Sequence, residues 1–569
     1  MILTRLKYFH KVNRKFIYII ILTLNILGLF YLFRNSSFTS SLSYHNSSSS
    51  GIYPSNIYNS NNLNLNYFDA KSASNFLHVV IEDISTIKCY SESACKVPKG
   101  YQRILPPINY YEKSSSNTLK SATMSNEYLI IKYNPSKEVS KLLIDLSFEP
   151  FSSDDTEDDE IEVKELPLNN NKYTLFAKFH IGKKISSDTV IIHTLDLLFG
   201  TDELHDERPY FQSIHPPNLD NKNHDDIEKR TESSEKDQKE EIAVDKENYI
   251  QSSQFIYTQD SKFKIMQLSD LHFGQNSGRL KCLDCEPPIL SSDQKTLEFI
   301  DHSIEQENPQ IVVITGDLLD LSRSLDYKSI ILKSLQPILK RGIKFIYTFG
   351  DEFEGIKDGE AVTRSKTSIV EFLRSIPGCF NIINHENIHG LTNYNIKIVK
   401  DEKEVGYITT LDSEDQVLKD NQINYLYRVN QKSAVNNHIF KLLFFHYPIP
   451  QFRPLGQFKI IGEYNEKHPL NSKTSQKFHN DIVNCGYHVI SVGHEHENDA
   501  CIQSDFSKDQ SIWLCYNAVT GDSGVTSLNN DYDRKLRIFE LDFDLLRLLS
   551  WKRDEKGKNA FDHQLIHQF

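Results

Sequence analysis

Five apolar, strand-like runs in the second half of this chain each end on side chains able to bind a metal. They are FKIMQLSD, closing on Asp270 with His272 two residues later; IVVITGD, closing on Asp317; KFIYTFGD, on Asp351; KLLFFH, on His446; and YHVISVGHEH, on His494 and His496. Side chains alternate along a strand, so the period-two pairs Asp270/His272 and His494/His496 project to the same side. Open α/β folds gather ligands and reacting groups at the carboxyl ends of strands. Five such ends carrying Asp and His imply one convergent site of carboxylates and imidazoles, the donor set of a two-metal hydrolytic centre. Gly316 and Gly493, just before Asp317 and His494, leave room for close backbone approach there.

The rhythm of the chain supports an α/β domain around that site. A strand is expected at 263–268, a helix at 294–307 stopped by Pro309, a strand at 311–315, a helix at 328–341 ending at Gly342, and a strand at 344–349. This β-α-β-α-β order predicts parallel strands joined by right-handed crossovers. Further strands near 440–445, 487–492 and 535–541 complete a domain over 251–569. Upstream, residues 67–215 hold short β-branched and aromatic runs (HVVIEDI, YLIIKYN, KLLIDLSF, YTLFAKFHI, TVIIHTL) and read as a small all-β domain. Residues 216–250 are dense in charge and poor in large apolar side chains, the composition of a linker without a core of its own.

The N-terminus reads as a membrane anchor. Residues 16–33, FIYIIILTLNILGLFYLF, carry no charge and are near the minimum length for a spanning helix. Arg5, Lys7, Lys11, Arg14 and Lys15 precede them, whereas only Arg34 follows before Lys71. That asymmetry keeps residues 1–15 cytosolic and sends the bulk of the chain to the lumenal or extracellular side. The run is long for a signal-peptide core, and no A-x-A cleavage pattern follows. Residues 34–66 are a Ser/Asn-rich stalk with glycosylation sequons at Asn35 and Asn46.

A net charge of −13 argues against a nucleic-acid partner, which requires a basic footprint. Among the eight cysteines, Cys89 with Cys95 and Cys282 with Cys285 are close enough for local disulfides in an oxidising lumen. Cys379, Cys485, Cys501 and Cys515 are left open between paired and free.

The motifs SDLHFG, TGDLLD, FGDEFEG, FHYPIP and GHEHEND, in this order, resemble the calcineurin-like metallophosphoesterase superfamily. The last two resemble its purple-acid-phosphatase-related branch, which includes membrane-anchored fungal phosphatases. The resemblance spans roughly 262–545. It implies two mixed β-sheets flanked by helices, and two divalent or trivalent ions of iron, zinc or manganese. Asp270, His272, Asp317 and His496 would hold one ion; Asp317, Asp351, His446 and His494 would hold the other, with Asp317 bridging. The implied reaction is hydrolysis of a phosphate monoester on a phosphorylated protein or small molecule, by attack of a hydroxide held between the ions.

The third motif departs from the family pattern. The family has Gly-Asn-His-Asp/Glu; this chain has Gly350-Asp351-Glu352 and is one residue shorter. Asp351 replaces the Asn ligand, and the histidine often assigned as general acid is absent. Glu352 substitutes for it only if its pKa rises from about 4.3 towards neutrality. Two readings follow: a working phosphatase, or a catalytically impaired metallophosphoesterase-fold protein that binds or regulates at a membrane.

Overall fold

The computed structural model describes residues 80–569 apart from 91–94, 110–124, 135–140, 153–159, 183–190, 200–207, 209–210, 215–224, 233–254, 275–291, 321–325, 354–358, 383–387, 432–437, 466–469, 508–509, 527–531 and 558. The apolar run at 16–33, the stalk and the Cys282/Cys285 pair lie outside these residues. Among the described residues no helix is long and apolar enough to cross a membrane.

The apolar runs become strands buried on both faces. Lys262–Leu268, Ile311–Thr315 and Lys344–Thr348 pair in parallel and share a six-stranded mixed sheet with Lys535–Asp542, Arg547–Asp554 and Phe561–Gln568. An eight-stranded mixed sheet contains the parallel strands Lys403–Thr410, Phe440–Phe444, Val489–Val492 and Gln510–Tyr516. Strand alternation divides each run between two cores. Ile265, Val313 and Ile346 face Leu442, Phe444 and Val489 between the sheets. Met266, Val312 and Phe345 face the outer helices Ser292–Glu307, Tyr327–Ser334 and Gly359–Arg374. On the far side Leu443, Ile490 and Leu514 pack under Asp420–Gln431 and Lys477–Asn484. Such two-sided burial explains why the sequence shows continuous apolar runs rather than an alternating pattern.

Two expectations need correction. The helix expected over 328–341 breaks into Tyr327–Ser334 and a short turn, Gln336–Leu339. Pro337 has no N–H to donate and its ring crowds the preceding turn, so one continuous helix cannot pass through it. The segment read as a charged linker also contains a strand. Asp225–Glu232 pairs antiparallel with Ile191–Phe199 and with Phe211–Ile214. Long-range pairing overrides the low strand propensity of that charged stretch.

The upstream region is all-β, built from three three-stranded sheets around Ile84, Leu129, Leu143, Leu175 and Phe179. Disulfides join Cys89 to Cys95 and Cys501 to Cys515, while Cys379 and Cys485 are free. Among the described residues, the strand Ile191–Phe199 fastens the β region to the α/β domain. Leu198 enters the core under the six-stranded sheet. Beside it the buried Asp196 carboxylate accepts from Arg208 Nη1 at 2.7 Å and pairs with Lys328 of the Tyr327–Ser334 helix. Both cations lie over the Phe372 ring, at 4.9 Å and 5.7 Å from its centroid. Burial pushes the Asp196 carboxyl up, but the Lys328 and Arg208 charges outweigh it and bring it to about 2. Asp196→Ala should lower the unfolding free energy by about 3–5 kcal/mol, because it removes the carboxylate from a buried ion cluster. The depressed carboxyl supplies stability that is complete above its unfolded value of 3.8 and is lost as pH falls through about 2. Denaturant titrations of wild type and variant should therefore differ at neutral pH and converge towards the acid end.

Candidate metal centre

The five strand ends meet at one point. The loops after the first two strands are zipped together by backbone hydrogen bonds: the Asp270 amide donates to the Gly316 carbonyl at 3.2 Å and the His272 amide to the Asp317 carbonyl at 2.9 Å. Asp270, His272, Asp317 and His494 all adopt positive φ, between 48° and 68°. Left-handed backbone at non-glycine residues carries strain that the surrounding fold must hold, and it concentrates at functional sites. The glycines are required by space. A Cβ on Gly316, itself at φ 83°, would lie 2.4 Å from His446 Nδ1; one on Gly493 would lie 1.9 Å from Ser269 Oγ.

Two donor groups result, Asp270/His272/His496 and Asp351/His446/His494, and Asp317 with Asp270 and His446 forms a third that overlaps both. Asp317 stands between them. Its Oδ2 is 3.7 Å from His272 Nε2 and 3.8 Å from His446 Nε2, one imidazole from each group. Its Oδ1 accepts the Asp351 amide at 2.6 Å. Across the cluster Asp351 Oδ2 is 2.9 Å from His494 Nδ1, and Asp270 Oδ1 is 3.4 Å from His496 Nε2. The Asp270 carboxylate also accepts the His494 amide, at 3.1 Å to Oδ2.

Second-layer contacts orient these rings. His446 Nδ1 donates to the Thr315 carbonyl at 2.9 Å, which fixes the tautomer and leaves Nε2 to face inward. That Nε2 is fully buried and has no hydrogen-bond partner. His496 Nδ1 is held in the same way by the Val525 carbonyl at 2.6 Å, and its Nε2 lies 3.3 Å from His272 Nε2. His494 packs on the Tyr447 ring at 4.3 Å between centroids, and the Tyr447 amide donates to Ser413 Oγ. Tyr447 and the two carbonyls went unseen in the sequence; the tyrosine's place inside FHYPIP was the one available signal.

The side chains alone are short of positive charge. Burial acts to lower the His446 imidazolium pKa, yet the Asp317, Asp270 and Asp351 carboxylates push it up to about 10. Asp317 rises well above the usual carboxylate range, first through burial and then through Glu352, Asp270 and Asp351, with His446 opposing. His272 falls to about 4 through burial and the neighbouring His496. Inward lone pairs, an orphaned buried nitrogen and crowded carboxylates together fit a pair of bound cations, which would hold the carboxylates ionised and the imidazoles neutral.

The Glu352 side chain, the candidate acid of the third motif, is turned into the fold. Its carboxylate is 9% exposed and already occupied: Oε1 accepts from Tyr347 Oη at 2.6 Å and from the Leu318 amide at 3.2 Å, and Oε2 from the Gly350 amide at 2.7 Å. In a turn one residue shorter, the side chain folds back to satisfy these donors. Burial keeps its carboxyl above the usual range, against the Tyr347 hydrogen bond and His446.

Residues 263–498 match the calcineurin-like phosphoesterase family. The chain carries a calcineurin-like metallophosphoesterase domain. Over 314 residues the chain is 33% identical to Protein SIA1 of Kluyveromyces lactis, covering 53% of this chain and 51% of that protein. It is 29% identical over 340 residues to Phosphatase DCR2 of Saccharomyces cerevisiae, covering 54% and 56%. Against an Arabidopsis thaliana protein described as a probable inactive purple acid phosphatase it is 23% identical over 355 residues, covering 54% and 85%. The chain thus spans about half the length of the two yeast relatives. The metallophosphoesterase family has a dinuclear metal centre, and every ligand position expected for one here, Asp351 included, converges on the cluster. Asp317→Ala should reduce bound metal from about two equivalents to well below one, since Asp317 contacts both groups, whereas His446→Ala should retain roughly one. Elemental analysis of the purified full chain distinguishes the two outcomes.

Proposed function

We propose that the chain is a two-metal phosphoesterase that hydrolyses phosphate monoesters but has lost the side chain that protonates the leaving group. The observation that carries this reading is Asp317, whose Oδ2 sits between one imidazole of each donor group. Two ions of iron, zinc or manganese would polarise the phosphoryl oxygens and acidify a water nucleophile. Oxygen and nitrogen donors without thiolate suit those ions. The chain's own part is to keep three carboxylates and four imidazoles converged, through the Thr315 and Val525 carbonyls and the strained loops.

The third motif sets the limit. Asp351 adds a negative charge where the family has a neutral amide; it favours cation retention and weakens attraction for a phosphate anion. Glu352 faces inward and offers no proton to a departing alkoxide. Loss of a general acid typically costs about 10²–10⁴-fold in rate, and the penalty falls on poor leaving groups. Aryl phosphates, whose phenolate leaves without help, should therefore be cleaved far better than alkyl phosphates such as phosphoserine. Replacing Asp351 by the pair Asn-His should raise alkyl phosphatase activity by about 10²-fold or more. Unchanged alkyl rates at normal metal content would defeat this account.

A second reading is favoured by the same turn and by the relative described as a probable inactive purple acid phosphatase. In that reading the protein binds metal and a phosphorylated partner at a membrane without turnover. A metal-replete wild type that cleaves neither ester class would establish it.

We further infer a lumenal or extracellular location on a single-pass anchor. The uncharged run at 16–33 with its basic N-terminal flank supports it, as do disulfides in both the β region and the metallophosphoesterase domain. Protease added to intact microsomes should leave residues beyond 34 uncut until detergent is supplied; cleavage without detergent would reverse the topology.

A further inference from the structure

The Gly359–Arg374 helix lies outside every metal-binding motif, yet it sends a buried lysine to the altered third turn. Lys366 is 3% exposed, and a buried ammonium is costly unless paired. Its Nζ donates to Glu414 Oε1 at 2.7 Å. It also lies 5.2 Å from the Phe349 ring centroid and 5.5 Å from that of Phe353. These two aromatics bracket Gly350-Asp351-Glu352. The charges facing Lys366 are the carboxylates of Asp412, Glu414 and Glu352. Asp412 secures the other side of the turn: its Oδ2 accepts the Leu391 and Thr392 amides, and Thr392 Oγ1 accepts the Phe349 amide at 3.2 Å.

We propose that Lys366 is the positioning residue of the shortened third motif. Clamped to Glu414 and laid over Phe349 and Phe353, it holds both ends of the turn so that Asp351 faces His446 and His494. It also sets a fixed positive charge behind Glu352. With one residue fewer, the turn has less backbone with which to reach the cluster and depends on a clamp outside the motif. Phe372, near the far end of the same helix, lies under Arg208 and Lys328, which anchors the helix against the β region.

The inference rests on the two-ion reading, and titration of the metal-stripped full chain with Mn²⁺ tests them separately. A wild type that binds no Mn²⁺ overturns the two-ion reading itself. Given two equivalents in wild type, Lys366→Met should leave the first equivalent unchanged and weaken the second by about 10–100-fold, the usual effect of losing an outer-layer partner. Lys366→Arg, which keeps the charge and the stacking, should restore the second equivalent to within about 3-fold of wild type. Wild-type affinity for both equivalents in Lys366→Met, or equal weakening of both, overturns the proposal; a fall in melting temperature alone counts as the former. If Lys366→Met does not fold, Glu414→Gln decides by the same titration. Selective weakening of the second equivalent supports the proposal, and an unchanged one refutes it.

Discussion

Asp317 is the junction on which the rest of the centre depends. One carboxylate oxygen lies between His272 and His446, which arrive on different strands from different sheets. The other accepts the Asp351 amide and so fixes the start of the third turn. Its backbone carbonyl takes the His272 amide. A single residue therefore sets the spacing of both donor groups and ties the three loops together. The left-handed conformation at Asp317 is held in place by these contacts, and Gly316 beside it leaves no room for any larger residue. A buried carboxylate among such neighbours favours a compensating cation, so the architecture here suits the metal binding proposed for it.

The sequence made the convergent Asp/His cluster legible because each member ends an apolar run and because period-two spacing fixes which side chains share a face. The parallel strands were legible for the same reason: two-sided burial writes long apolar runs that few other structures require. Glu352 was not legible. Its direction depends on the path of a turn one residue shorter, and no local pattern tells whether a carboxylate points at a metal or back at the Gly350 and Leu318 amides. Lys366 was hidden because a lysine within a helix reads as solvated, and its burial follows only from tertiary packing against Phe349 and Phe353. The strand Asp225–Glu232 was concealed by its charged composition, which lacks the apolar or alternating pattern of a strand.

Under the proposed function, metal ligand and proton donor are separable in the third turn. Asp351 retains contact with His494, while the Glu352 carboxylate that follows it has become internal scaffolding. On that reading a change that removes chemistry leaves coordination in place, with the proposed Lys366 clamp supplying the lost rigidity. On the same reading the added charge of Asp351 shifts the site from attracting a phosphate dianion towards retaining cations.

The ion cluster at Asp196 has a practical meaning of its own. Leu198 completes a core that otherwise belongs to the α/β domain, and Arg208 covers one face of Phe372. A fragment beginning near 255 would hydrate the Lys328 ammonium and leave the Phe372 ring and the Leu198 socket open to water. Such a fragment carries every metal ligand yet presents a fresh apolar surface, so its aggregation or inactivity would report on the cut rather than on the chemistry. The smallest unit in which this core is whole includes the strand that carries Asp196.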